Sequence, residues 1–187
     1  MRKKIERLIK EDISVKNALA KTQLGAIETL AKMMLSTIKS GNKILLFGNG
    51  GSASDSIHIA AELVGRFRKE RKAIPAIALA SNVSILTAIS NDYSFERIFE
   101  RQIEALGKKG DMAIGISTSG KSKNVILGIQ KASKMKLKTA VLIGKRKTRL
   151  SQIADVSINV PSNSTPRIQE SHIIVGHIVC EIIEDAL

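Results

Sequence analysis

Five short apolar runs, at residues 44–47, 76–80, 112–116, 139–143 and 156–160, are separated by stretches with helical spacing. This alternation is what most limits the folds open to the chain. Runs of this length bounded by Gly, Ser and Asn read as strands, and strands that alternate with helices build parallel sheets covered on both faces. Four of the runs carry almost no polar side chains, as strands buried on both faces should. The last, Val156-Ser157-Ile158-Asn159-Val160, alternates and reads as an edge. The expected class is α/β with a doubly wound parallel sheet.

Helical periodicity also frames the sheet. Residues 1–40 place Ile5, Leu8, Ile9 and Ile13, then Leu24, Ile27, Leu30, Ala31, Met34, Leu35 and Ile38, at helical spacing and stop at Gly41. At the other end a helix is expected from about Pro166 to Asp185, with the proline acceptable in the first turn. A chain of 187 residues at 43% hydrophobic content suits one domain, 1–187, with helices in 1–40 and an α/β core in 41–187. The start mixes charge with apolar residues and has no unbroken apolar stretch, so neither a signal peptide nor a membrane span is expected. The single cysteine, Cys180, excludes an internal disulfide and suits the cytoplasm.

Thirty Lys+Arg against seventeen Asp+Glu give a formal charge of +13, which raises the question of an anionic partner. The bases gather at 66–72 and 145–149. Neither cluster comes with a nucleic-acid signature, and aromatic residues make up only 3% of the chain, so base stacking has little to work with. Nucleic acid is not an expected partner.

In a doubly wound sheet, ligands bind beyond the carboxyl ends of the strands. The residues there are Gly48-Asn49-Gly50-Gly51-Ser52 after the first run, Ser81-Asn82 after the second and Ser117-Thr118-Ser119-Gly120-Lys121-Ser122 after the third. The third is a phosphate signal: hydroxyls, a glycine that lets the backbone approach, and the start of a helix. The first also satisfies a dinucleotide fingerprint, Gly48-x-Gly50-x-x-Ala53, but the second run ends without the ribose-binding acid that fingerprint expects. A phosphorylated sugar fits better.

His58 and Glu62 stand four residues apart directly after the first loop, on one helix face. An imidazole beside a carboxylate is half a metal site or an acid/base couple. The chain's other histidines, His172 and His177, lie on the C-terminal helix with Gln169. At about 100° per residue the two histidines diverge, so Gln169 pairs with either one but not with both.

These residues together resemble the sugar isomerase (SIS) domain group and, within it, the phosphoheptose isomerases. The resemblance runs nearly end to end, through 48–52, His58, Glu62, Gly65-Arg66, Asn91-Asp92, 115–120, 167–170, His172 and His177. It implies a flavodoxin-like, five-stranded parallel sheet with N-terminal oligomerisation helices. The activity it implies is an aldose–ketose interconversion of sedoheptulose 7-phosphate and D-glycero-D-manno-heptose 7-phosphate through an enediol. That reaction opens ADP/GDP-heptose biosynthesis and supplies lipopolysaccharide. The implied substrate contacts are Asn49, Gly50, Gly51, Ser52, Glu62, Asn91, Asp92, Ser117, Thr118, Ser119, Ser122 and Gln169.

The resemblance also implies Glu62 as the base, His177 as the partner acid, and His58, Glu62, Gln169 and His177 as ligands of one Zn²⁺ per subunit. That choice favours His177 over His172, which keeps a supporting role. A homotetramer with sites at subunit contacts is implied too. One relative of the family is a non-catalytic tetramer that binds a replication initiator protein and lacks the Glu and the last His; this chain keeps Glu62 and His177. Lys145-Arg146-Lys147-Thr148-Arg149 departs from the glycine-rich turn of many relatives and is expected to lie away from the site.

Overall fold

The computed structural model describes residues 1–187. In chain order the elements are α1 (Arg2–Lys39), β1 (Ile44–Gly48), α2 (Gly51–Val64), β2 (Ala76–Ala78), α3 (Val83–Asp92), α4 (Ile98–Leu106), β3 (Met112–Ser117), α5 (Lys123–Lys134), β4 (Lys138–Ile143), α6 (Arg149–Ile153), β5 (Val156–Asn159) and α7 (Thr165–Asp185). All strand pairs are parallel, in the order β2-β1-β3-β4-β5. That is the flavodoxin-like order, and its direction of winding reverses between β1 and β3.

The uninterrupted apolar runs follow from burial of both faces. Along β1, Ile44 and Leu46 join a cluster with α1, α2 and α7, while Leu45 and Phe47 point the other way into a cluster with α4, α5 and α6. The two clusters make a three-layer α/β/α stack, and the ends of β1, β3 and β4 emerge between the layers. No helix is long and apolar enough to cross a membrane.

Two expectations change, and a third holds with an addition. The apolar pattern of 1–40 belongs to a single helix of 38 residues rather than several. The segment has no proline, and Gly25, at about 1 kcal/mol against alanine, is too small a penalty to break a helix whose second half is packed. Burial begins at Leu19; the first turns present Ile5, Ile9 and Ile13 to solvent. Second, the run at 76–80 contributes only three paired residues and forms the second edge of the sheet, with Ile77 exposed. Third, β5 is an edge as its alternation implies, but α1 covers its end: Gln23 Oε1 accepts from the Asn159 amide at 3.0 Å.

A candidate active site at the α2–α7 seam

Two elements carry the proton-transfer candidates, and they pack unusually close. A Cβ added at Gly176 would lie 2.6 Å from Ile59 Cδ1, so glycine there lets α7 sit close on α2 without displacing the Ile59 side chain. The consequence is a contact between two side chains 119 positions apart: His177 Nε2 lies 3.4 Å from His58 Nε2, with the rings edge-on at 5.0 Å. On α2 itself, His58 Nε2 lies 3.0 Å from Glu62 Oε1. The nearest ligand atoms of His58, Glu62 and His177 all fall within 4.8 Å of one another. Phe67, on the loop after α2, covers the other side of His177 at 5.5 Å between rings.

Gln169 is not in that cluster. It precedes His177 by eight residues, about 12 Å along the helix axis, although the two are close in angle. Its amide lies against the backbone of Gly51, where an added Cβ would come 2.3 Å from Nε2. Angular periodicity ignores the axial rise and left Gln169 open to either histidine; the resemblance alone joined it to His177.

Gly50 opens α2 in a left-handed conformation, φ +56°, which glycine adopts without strain. Ser52 is buried in the first turn. Asn49 is held by a reciprocal amide pair, each Nδ2 donating to the other's Oδ1 at 2.9 Å, with the buried Asn124 of α5. The first loop is thereby tied to α5, the helix that follows the hydroxyl loop, across the β1/β3 switch point. In that second loop Ser117 Oγ and Ser122 Oγ are 3.1 Å apart, and Ser119 Oγ accepts from the Lys121 amide at 3.2 Å. Asn91 and Asp92 lie at the exposed end of α3, where Asn91 Nδ2 donates to Asp92 Oδ1 at 2.9 Å; neither hydrogen-bonds to either loop.

A cavity of about 280 Å³ opens at the ends of β3, β4 and β5. Thr118 and Ser119 share its wall with Lys121, Lys145, Arg146 and Ser162, and no carboxylate lines it. Lys145 and Arg146, expected to lie away from the site, therefore share a cavity wall with Thr118 and Ser119. Gly144 N donates to Thr118 O at 3.1 Å, which pins the β4–α6 loop beside the phosphate loop and carries the two cations there.

His172 is fully buried beneath this region, with Nε2 3.3 Å from Ile143 O. Burial holds its pKa down to about 4, so at neutral pH it is uncharged and donates to that carbonyl. Cys180, one turn after His177, is buried and its thiol is pushed up to about 12, mainly by burial. Three residues escaped the sequence reading: Phe67, Asn124 and Asp55. Asp55 lies one turn before His58, half-buried, with Oδ2 unpartnered; burial pushes its carboxyl up to about 6 against the opposing influence of His58. The signal for Asp55 was its spacing on the same helix face as His58 and Glu62.

Residues 9–144 match the SIS domain family. A phosphoheptose isomerase of Aquifex aeolicus is 51% identical over 185 residues, covering 99% of this chain and 97% of its own. That of Clostridium acetobutylicum is 49% identical over 189 residues, covering 100% and 96%. Among solved structures, a phosphoheptose isomerase from Neisseria gonorrhoeae superposes with a TM-score of 0.93 at 37% identity, covering 98% of each chain. One from Francisella tularensis gives 0.94 at 34%, covering 98% of this chain and 97% of its own. With the family match spanning most of the sequence and the relatives aligned end to end, the chain belongs to the SIS domain family and, within it, to the phosphoheptose isomerases.

Proposed function

We propose that this chain interconverts sedoheptulose 7-phosphate and D-glycero-D-manno-heptose 7-phosphate, the first step of ADP/GDP-heptose biosynthesis. The observation that carries the reading is the convergence of Glu62 and His177 on one point, in a fold whose hydroxyl loop after β3 lines a cavity with Lys121, Lys145 and Arg146. Aldose–ketose exchange needs one proton moved between adjacent carbons and another moved between the two oxygens. Glu62 removes the C1 proton of the ketose to form the enediol and returns a proton at C2. His177 donates to the C2 oxygen as the enediol forms and takes back the C1 hydroxyl proton as it collapses to the aldose. Ser117, Thr118, Ser119 and Ser122 hold the phosphate, with Asn49, Gly50, Gly51 and Ser52 along the sugar. Asn91 and Asp92 belong to this reading as more distant substrate contacts.

The donor set also suits zinc. Two imidazole nitrogens and a carboxylate oxygen within 4.8 Å of one another match its preference for N and O ligands. His58, Glu62 and His177 would hold the ion, and a bound Zn²⁺ would polarise the substrate's oxygens. Gln169 would complete the set only from a second copy, given its distance along α7. A homotetramer fits that requirement, and the exposed Ile5, Ile9, Ile13 and Leu24 of α1 offer the apolar surface for it. The reading takes residues 1–187 as one domain working in the cytoplasm, with 1–40 serving assembly and heptose for lipopolysaccharide as the output.

A non-catalytic role as partner of a replication initiator is not favoured, since both proton-transfer residues are retained. Turnover of pentose, hexose and heptose phosphates by the purified protein tests the proposal. Conversion of sedoheptulose 7-phosphate, ahead of the shorter sugars, is expected; no conversion of any of them would refute it.

A further inference from the structure

Behind the proposed proton-transfer cluster lies a second buried constellation, built on Glu184 and Arg71. Glu184, near the end of α7, has a side chain only 2% exposed, and Arg71 one only 9% exposed. The carboxylate accepts three backbone amides of the loop after α2: Phe67 at 3.1 Å on Oε1, and Arg68 at 2.7 Å and Lys69 at 2.9 Å on Oε2. Arg71 Nε lies 3.2 Å from Glu184 Oε1. The guanidinium spends its other donors on carbonyls that close α2, reaching Leu63 O at 2.9 Å and, through Nη2, Glu62 O at 2.7 Å.

Glu184 thus reaches His177 through Phe67, whose backbone it fixes and whose ring lies on His177, while Arg71 holds the backbone of Glu62. A loop staple would need one or two surface hydrogen bonds. Here the cost of a desolvated ion pair is offset by loop amides on the Glu184 carboxylate and by α2 carbonyls on the Arg71 Nη atoms, while Arg71 Nε faces Glu184 at ion-pair distance without a hydrogen bond. We infer that Glu184 and Arg71 are positioning residues of the isomerase: they set the His177 ring, through Phe67, and the Glu62 turn in the relation that proton transfer requires. Misplacement of a catalytic group by about 1 Å is enough to cost up to about a hundredfold in rate. The inference rests on the isomerase reading above.

The test uses Glu184→Gln and Phe67→Leu in the full chain, with turnover of sedoheptulose 7-phosphate and the ring resonances of ¹³C-labelled histidine as readouts. The chain has only three histidines, so each signal is assignable by substitution. Glu184→Gln is expected to lower kcat by about ten- to a hundredfold with KM within about twofold, since the loss falls on the reacting geometry and not on binding. It should also move the His177 resonance while leaving that of His172 in place. Phe67→Leu buries no unpaired charge and folds even where Glu184→Gln does not; it should shift His177 in the same sense, with a smaller fall in kcat. The double variant should lose no more than Glu184→Gln alone. A folded Glu184→Gln with lowered thermal stability but unchanged kcat or an unmoved His177 signal overturns the inference, as does Phe67→Leu with both unchanged. If the wild type shows no turnover, the functional reading fails, while the resonance arm still reports whether the clamp sets His177.

Discussion

The two ends of the site are built by different means. The phosphate end is local: Ser117, Thr118, Ser119 and Ser122 come from six consecutive residues at the end of one strand, and their spacing is set by a turn and the helix start that follows. The cluster end is assembled from afar, by α2 and α7 meeting across a glycine contact, with a loop pinned behind them. A local end tolerates change in the rest of the fold, whereas the assembled end depends on helix packing. Substitutions should therefore separate the two ends into binding effects and turnover effects.

The largest effect is expected at the assembled end. Glu62→Gln removes the base while keeping its volume and should lower kcat by about 10³–10⁴-fold with the fold intact, the range typical of general base removal. His177→Ala should act in the same direction, read in the same assay. A wild-type rate in either variant would take that residue out of the mechanism.

Beneath the phosphate end, His172 gives a pH effect of known sign. Its folded-state pKa, about 4, lies below the ordinary 6.5 because burial disfavours the charged ring. The unfolded chain then binds a proton that the folded chain refuses, so stability is full above about pH 6.5 and falls as pH drops towards 4. The full loss is about 3 kcal/mol at 1.36 kcal/mol per unit. Denaturant melts of wild type and His172→Gln between pH 7.5 and 4 should differ by a slope that only the wild type shows.

Helix packing at the assembled end is tested by Gly176→Val. The added side chain meets Ile59 and should cost about 1–3 kcal/mol as overpacking, and it should lower kcat by parting His177 from His58. An active, fully stable variant would show that the close approach is incidental. The smallest effect is expected at the phosphate end. Lys145→Ala and Arg146→Ala should each raise KM for the phosphosugar by up to about tenfold with kcat unchanged, and the difference should shrink in high salt. A fall in kcat instead would place these cations in the reaction itself.

The same contrast explains what the sequence made legible. The parallel sheet was readable because burial of both faces leaves an apolar run with no polar interruption, as in Leu45, Leu46 and Phe47. The hydroxyl loop after β3 was readable as a candidate phosphate site because its donors are contiguous. At the assembled end, His58 and Glu62 could be paired by helical spacing, but His177 was chosen over His172 only through the family resemblance. Their burial separates them physically: His172 lies in the core under β4, and His177 lies at the surface of the seam. Helical angle left Gln169 open to either histidine, and only the family resemblance grouped it with His177. The cations at 145 and 146 looked remote because their position depends on how the β4–α6 loop folds back onto Thr118, a contact that no local pattern encodes. Phe67 reaches His177 through the Glu184 clamp, which spans more than a hundred residues of sequence.

The central claim is that Glu62 moves a carbon-bound proton of a seven-carbon sugar phosphate. Its most direct test is turnover of sedoheptulose 7-phosphate in deuterated water by the wild type and by Glu62→Gln, followed by mass and NMR analysis of C2 in the aldose. The wild type should form the aldose with solvent deuterium at C2, and Glu62→Gln should form almost none. Aldose formation by Glu62→Gln at the wild-type rate would contradict the account.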